Sequence, residues 1–251
     1  NILLDPNETN YTLSRLVDVQ EVIRHKSPIP AMKAIKNEAE IRGYRSAMLK
    51  DGIALVKFLR WLKPAVEAGG QTEISIDKKL TSLRAEQPLF RDISFDTIAG
   101  YGAHGAIVHY EATPETDIPL EPHGLLLLDS GAQYQDGTTD ITRTIALGPV
   151  SDYEKHIYTL VLKGHIQLEI CKFPSGASGT QMDILAREAM WREGLNYLHG
   201  TGHGVGSYLS VHEGPHQFRL EWMPAPFLEN MTVTDEPGIY FIPDLIDLWH
   251  R

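Results

Sequence analysis

The sequence has a single cysteine, no long apolar run and a shortage of basic residues. One thiol, Cys171, excludes an internal disulfide framework and favours a reducing compartment, so we expect a cytoplasmic protein. No stretch approaches the ~20 apolar residues of a membrane span, and no charged-then-apolar leader opens the chain. The 33 acidic and 23 basic residues give a formal net charge of −10. This charge disfavours nucleic acid as a partner, and the absence of apolar runs disfavours a membrane.

Helical and β-prone patterns come in blocks along the 251 residues. Apolar spacings of three and four predict an amphipathic helix from Asn37 to about Val66, and three more helices are predicted near 73–86, 151–172 and 180–193. The β-prone segments are SFDTIAGYG, AIVHYEA, LLLLDSGAQY, DITRTIALG and MTVTDEPGIYFI. Because this order is not a regular βαβ alternation, it predicts an α+β fold. The repetition of a helix pair followed by strands suggests two halves related by a pseudo-twofold axis.

Two aspartates lie at the inner ends of β-prone runs in LLLLDSGAQYQDGTTDITRTIALG. Asp129 follows four leucines, and Asp140 opens the next run. A tight turn at Asp136-Gly137 would put both on one face but about four residues, or roughly 13 Å, apart. Two ligands of one metal centre would therefore need a bend or bulge in the strands. The alternative is a strand-end cap and a turn residue, although neighbouring donors could orient buried carboxylates: Thr138, Thr139, Thr142, Arg143 and Thr144.

A second candidate segment, HGTGHGVGSYLSVHEGP, spans residues 199–215. His203 has a glycine on each side, which lets the backbone approach a small site, and imidazole is a metal ligand. His212 follows nine residues later and is better suited to a role beside a ligand or on the substrate. For His199 and His216, an ordinary hydrogen-bonded polar role is the more typical interpretation.

The third candidate is Glu236, in the segment TDEPGIYF. Pro237 restricts its predecessor to extended backbone, so we expect Glu236 to end a strand with its carboxylate directed at the site. The alternative is an acid flanking an ordinary turn. Taken together, several carboxylates and one imidazole suit a two-metal site of the Mn²⁺, Co²⁺ or Zn²⁺ type, in which the ions share a hydroxide and polarise a carbonyl.

These segments, in this order, resemble the pita-bread metallopeptidases, and specifically the Xaa-Pro aminopeptidase (aminopeptidase P) family. The segment GYGAHGAIVHYEATPET resembles the preceding block of that family and carries His109, 20 residues before Asp129. The resemblance covers nearly the whole chain. It implies a curved antiparallel sheet covered by helices, in pseudo-twofold halves. Residues 1–30 would be the tail of a preceding domain, and residues 31–251 would form the catalytic domain.

The resemblance also implies a function, namely hydrolysis of the bond between an N-terminal residue and a following proline by a bridging hydroxide of a dinuclear centre. The metals would be Mn²⁺ by preference, with Co²⁺ or Zn²⁺ as alternatives, and homodimers are common among relatives. Asp129 would bind one metal, Asp140 both and His203 the other. Glu236 would be a ligand and the general base. His109 and His212 would bind substrate and shuttle protons, as neutral imidazoles can.

One feature departs from the family pattern. A fifth ligand, a glutamate in a strand of the form G-[IV]-R-[IVC]-E, is expected soon after EPG, but the chain continues as GIYFIPDLIDLWHR. This ending resembles bacterial prolidases and implies that the glutamate lies beyond Arg251, since Asp244 or Asp247 would be an unusual replacement. Two alternatives therefore stay open: an Xaa-Pro dipeptidase (prolidase), and a non-catalytic pita-bread module that binds peptides or proteins.

Overall fold

The computed structural model describes residues 1–241, apart from the side chain of Val19. The helices are α1 (Tyr11–Ser14), α2 (Ile29–Ala34), α3 (Glu38–Glu67), α4 (Glu73–Ala85), α5 (Asp152–Glu169) and α6 (Gly179–Trp191), with 3₁₀ turns at Val19–Glu21 and Gly102–Ala106. The strands are β1 (Ile2–Leu4), β2 (Val22–Arg24), β3 (Phe90–Ile93), β4 (Ile98–Tyr101), β5 (Leu125–Ser130), β6 (Ala132–Tyr134), β7 (Gly137–Thr138), β8 (Ile141–Ala146), β9 (Gly202–His203) and β10 (Gln217–Phe218). Antiparallel pairing joins the strands of three small sheets, while β1 and β2 pair in parallel. Within residues 1–241, no helix combines the length and apolar character needed to cross a bilayer.

The long helices begin where the sequence supplies capping residues. The Asn37 side chain accepts hydrogen bonds from the N–H groups of Ala39 and Glu40, and the Glu40 side chain accepts one from the Asn37 N–H. Thr72 and Ser151 cap α4 and α5 in the same reciprocal way. These bonds satisfy N–H groups that the first helical turn leaves free. The predicted helices are therefore confirmed, with α5 ending three residues earlier than expected.

Each helix pair covers its own apolar core. Between α3, α4 and the β4–β5–β8 sheet lies the larger core, in which the side chains of Phe58, Leu62, Ile76, Leu126 and Leu128 are almost wholly buried. Smaller clusters lie along α5 and α6. Apolar burial of this kind is the dominant stabilising term. The predicted α+β class is confirmed.

The hairpin that carries the two aspartates has a different register from the one predicted. Tyr134 pairs with Gly137, so the turn consists of Gln135 and Asp136, and Asp129 lies opposite Thr142. A Cβ at Gly137 would come within 2.8 Å of the Ala47 Cβ on α3, so this glycine serves close helix packing rather than the turn. Asp140 is consequently offset by two residues, or roughly 7 Å of strand, instead of four.

Two predicted strands are not formed as expected. The segment AIVHYEA follows the 3₁₀ turn and continues as a loop, in which Ile107 and Val108 are exposed and His109 has a left-handed φ of 58°. The segment from Met231 to Phe241 runs beside β9 with one isolated bridge, between Gly204 and Val233, and forms no named strand in the part that the structure describes. In the first segment local β propensity is overridden by tertiary contacts. The second segment keeps strand-like hydrogen bonds, such as that from the Thr234 N–H to the His203 carbonyl, without forming a named strand.

Candidate metal centre

Three of the four candidate ligands converge. Asp140, His203 and Glu236 each offer a ligand atom, and these atoms all lie within 4.8 Å of one another. The His203 Nε2 is 3.4 Å from the Asp140 Oδ2 and 3.1 Å from the Glu236 Oε1. The three side chains are largely shielded from solvent. Residues far apart in the sequence thus meet in one polar cluster.

Beside Asp140 the hairpin has an irregular stretch, the bend, in which the strands are not continuous. The regular strands are interrupted at Gly131 and at Thr139–Asp140. A Cβ on Gly131 would lie 1.9 Å from the Thr139 carbonyl oxygen, so only glycine permits this close approach. The Thr139 hydroxyl accepts a hydrogen bond from the Ala132 N–H across the bend. The register is nevertheless the same on both sides of the bend, since Ser130 pairs with Ile141 and Gln133 pairs with Thr138, so no extra residue is inserted between the two aspartates.

Glycines also bring His203 and Glu236 together. A Cβ on Gly202 would lie 2.0 Å from the Thr234 carbonyl oxygen, and one on Gly204 would lie 2.0 Å from the Glu213 carbonyl oxygen. The extended segment before Pro237 can therefore lie directly against β9, where the Glu236 N–H donates to the Thr201 carbonyl at 2.6 Å. Glu236 lies at the end of this hydrogen-bonded segment, directly before Pro237, but the segment is not the named strand that was predicted.

Asp129 lies beside the three-residue cluster rather than within it. Its Oδ1 is buried and has no hydrogen-bond partner among the described residues. Burial raises the pKa of Asp129 to about 7, and the negative charge of Asp140 adds to the rise, while a hydrogen bond from Thr142 opposes it. A buried carboxylate oxygen that lacks a donor is costly unless a cation is present.

The cluster favours positive charge at its centre. Burial alone would lower the pKa of His203, but its contacts with Asp140 and Glu236 raise the pKa to about 10. For Glu236 the effect of burial has the opposite sign and raises the pKa. The hydrogen bond and charge of His203 outweigh it and bring the pKa of Glu236 below its ordinary value. Three carboxylates and one imidazole form a donor set that fits a divalent ion of the manganese, cobalt or zinc type. The residues present therefore fit a metal centre.

The other two candidate residues differ in their distance from the cluster. The His212 ring packs edge-on against the His203 ring, with the centroids 4.2 Å apart. Burial and the nearby positive charge of His203 lower the pKa of His212, which keeps it neutral at physiological pH. His109 is exposed on its loop and lies near enough to His212 and His199 to contribute to the lowering of their pKa values.

His199 also lies near the candidate ligands, although sequence reasoning treated it as an ordinary polar residue. Its ring lies between those of Tyr197 and Tyr240, with centroids 4.8 Å and 5.4 Å away, and its buried Nε2 has no hydrogen-bond partner within residues 1–241. The charge of Glu236 acts on its pKa, which burial lowers. Its place in the same glycine-rich segment, four residues before His203, was the available signal.

Other sequence candidates have different roles or are not described. Thr142 contacts Asp129, whereas the exposed Arg143 donates to the Thr142 carbonyl and Thr139 donates to a buried aspartate on α3. Asp244 and Asp247 lie outside the described residues. The predicted fifth ligand therefore stays a prediction.

The fold and the acidic, histidine-containing cluster together define a pita-bread metallopeptidase domain. Residues 42–248 match the family model described as metallopeptidase family M24, and the chain belongs to that family.

A curated relative of this chain is an aminopeptidase P, whereas the solved neighbours include both an X-prolyl aminopeptidase and an Xaa-Pro dipeptidase. Aminopeptidase P1 of Arabidopsis thaliana is 45% identical over 260 residues, covering 94% of this chain and 40% of that protein. The X-prolyl aminopeptidase of Caenorhabditis elegans, described as a cytosolic enzyme with a di-nuclear active site, superposes with a TM-score of 0.88 at 40% identity, covering 95% of this chain and 39% of that one. The Xaa-Pro dipeptidase of Bacillus anthracis gives 0.82 at 27% identity, with 95% and 65% covered. The chain thus spans about 40% of the length of the Arabidopsis protein, and the same share of Aminopeptidase P1 of Lotus japonicus, which is 43% identical over 95% of this chain.

Proposed function

We propose that the full-length protein is an Xaa-Pro aminopeptidase, which removes an N-terminal residue that precedes proline. The observation that carries this proposal is the convergence of Asp140, His203 and Glu236 within 4.8 Å, with the buried Asp129 beside them. The names of relatives more than 40% identical support the reaction and the substrate class. The C. elegans neighbour's di-nuclear centre supports two metals, for which we propose Mn²⁺.

In this proposal Asp129, Asp140, His203 and Glu236 hold the ions. When bound, two divalent ions supply a hydroxide nucleophile at neutral pH and polarise the scissile carbonyl. Asp140 lies near enough to Asp129 for its charge to raise the pKa of Asp129, and it also contacts His203. This position suits a carboxylate shared by two ions.

The remaining roles concern proton movement. Glu236, whose pKa is below its ordinary value, is ionised at neutral pH and can accept the proton of the attacking water. His212 is neutral and packs edge-on against His203, so its ring can donate to a developing oxyanion or pass a proton to the leaving imino nitrogen. His109 would act on the substrate from its exposed loop.

The test is peptide hydrolysis by the full-length protein with and without Mn²⁺. We expect the protein to release arginine from a bradykinin-like Arg-Pro-Pro peptide in Mn²⁺, and to stop doing so after chelation. A matched peptide with alanine in place of the first proline is the control for specificity and should not be cleaved. No hydrolysis of either peptide in excess Mn²⁺, together with less than one bound ion per chain, would instead support a non-catalytic module.

A second candidate is an Xaa-Pro dipeptidase. It is favoured by the likeness to the B. anthracis enzyme, which covers 95% of this chain, and by the EPGIYFIP ending. Substrate length separates the two: cleavage confined to dipeptides such as Ala-Pro would favour the dipeptidase, and cleavage of the longer peptide would favour the aminopeptidase.

A further inference from the structure

Two buried aspartate–arginine pairs lie outside the candidate ligand set. In one, Asp51 on α3 accepts hydrogen bonds from Arg84 on α4, from Nε at 2.6 Å and from Nη2 at 3.0 Å. In the other, Asp183 accepts a bond from the Arg187 Nε one turn later on α6. All four side chains are at most 1% exposed. Such pairs are weak evidence for stability, because desolvation offsets most of their attraction.

The first pair contacts the hairpin at its bend, between the two candidate aspartate ligands. The Thr139 hydroxyl donates to the Asp51 Oδ2 at 2.7 Å, and the Arg84 Nη2 donates to the Ser130 carbonyl at 3.3 Å. Ser130 directly follows Asp129, and Thr139 directly precedes Asp140. One buried ion pair therefore fixes the residue next to each aspartate.

The second pair makes the corresponding contacts in the other half of the molecule. The Thr201 hydroxyl donates to the Asp183 Oδ1, and the Arg187 Nη2 donates to the His199 carbonyl at 3.0 Å. Thr201 lies two residues before His203, and its carbonyl accepts the Glu236 N–H at 2.6 Å. This pair therefore fixes the backbone from which both remaining ligands project.

We propose that Asp51 and Asp183 are positioning residues for the metal centre, and that they act through Thr139 and Thr201. In each half a helix aspartate, neutralised by an arginine, holds a threonine hydroxyl beside the ligands of that half. Ligands held in place in advance bind an ion more tightly, because less freedom is lost on binding. This inference rests on the proposed metal-dependent function.

The test removes each hydroxyl without changing the charge of the core. Thr139→Val and Thr201→Val are nearly isosteric and leave both ion pairs intact, whereas Asp51→Asn would strand a buried arginine and endanger folding. Mn²⁺ affinity of the full-length protein is measured by calorimetry, and thermal unfolding is measured in EDTA. We expect each valine variant to bind Mn²⁺ roughly 10- to 100-fold more weakly.

Two matched variants separate positioning from general stability. Thr139→Ser and Thr201→Ser keep the hydroxyl and should restore most of the affinity. Thr97→Val makes the same exchange at a buried threonine whose hydroxyl has no partner among the described residues, next to the strand position that pairs with Asp129, and should leave the affinity unchanged.

Either of two results would overturn the inference. One is a valine variant that unfolds at a lower temperature in EDTA yet binds Mn²⁺ as tightly as the wild type. This result would refute the positioning role only in the half of the molecule that carries the substitution. The other is an equal loss of affinity in Thr97→Val. A wild-type protein that binds no Mn²⁺ would refute the proposed function first, and this inference with it.

Discussion

Asp129 shows most clearly that the candidate ligands are acids crowded together. It is a carboxyl group near other acids, and its pKa is raised to about 7 by burial and by Asp140. Such crowding is unfavourable in a metal-free protein and becomes favourable once cations neutralise it. The acids are therefore better explained by a ligand than by folding alone.

This crowding predicts a pH dependence for the metal-free protein. Because the folded pKa of Asp129 exceeds the ordinary 3.8, the folded state binds the proton more tightly than the unfolded state. The contribution of protonated Asp129 to the free energy of unfolding is complete below about pH 4 and is lost as the pH rises through about 7. Asp129→Asn should therefore gain stability relative to the wild type, by a few kcal/mol, between those pH values. Urea unfolding in EDTA measures this difference.

The control for that experiment is Asp152→Asn, since the Asp152 side chain is 99% exposed. It should show no such gain with pH. A flat difference for Asp129→Asn would mean that Asp129 is not buried among like charges.

Glu236 supports a separate prediction about catalysis. Glu236→Gln keeps an oxygen ligand but cannot accept a proton, so we expect the variant to retain weakened metal binding and to lose turnover by roughly 10²- to 10⁴-fold. Steady-state kinetics at saturating Mn²⁺ measures this loss. The exposed Glu229→Gln serves as a control and should behave as wild type. Turnover of Glu236→Gln within a few-fold of wild type would remove its role as general base.

Among the structural elements, the loop that carries His212 has its own anchor. Lys36, in the segment that joins α2 to α3, places its Nζ 2.6 Å from the Glu213 Oε1, and both side chains are buried. The Lys36 N–H also donates to the Asn230 carbonyl. These bonds hold together the segment that joins α2 to α3, the loop that carries His212 and the segment before Glu236.

Breaking this anchor should be costly. Lys36→Met removes the buried partner of Glu213 and leaves only the half-exposed Lys33, whose Nζ lies 2.7 Å from the Glu213 Oε2. We therefore expect the free energy of unfolding to fall by at most the about 3–5 kcal/mol of a fully stranded charge. In Lys57→Met, which breaks a pair about half exposed with Glu86, the loss should be at most about 1 kcal/mol. Urea unfolding of the two variants measures both losses in free energy of unfolding. Equal losses would mean that the buried pair contributes no more than a surface one.

Local sequence signals predicted the elements well but not the way in which they meet. Capping residues such as Asn37 and Thr72 fix helix starts locally, so α3 and α4 were predictable to within a residue or two. The hairpin register was not, because Gly137 is required by contact with Ala47 on α3. The loop at His109 escaped prediction for a similar reason, since Tyr110 anchors it by donating to Glu73 on α4.

At the scale of the whole molecule, the candidate site joins the two halves. Asp129 and Asp140 project from the hairpin covered by α3 and α4, whereas His203 and Glu236 belong to the half that contains α5 and α6. Sequence spacing alone cannot show that residues 140, 203 and 236 meet; only the resemblance to a known family indicated it. The division into residues 1–30 and 31–251 stays a prediction.

The most direct test is the number and position of divalent ions in crystals of the full-length protein grown with Mn²⁺, located by anomalous diffraction. We predict two ions about 3.5–4 Å apart, with Asp140 touching both, Asp129 touching one, and His203 touching the other. Crystals of His203→Ala should lose at least one of these peaks. An arginine or lysine side chain in their place, or no anomalous density near these residues, would contradict the account.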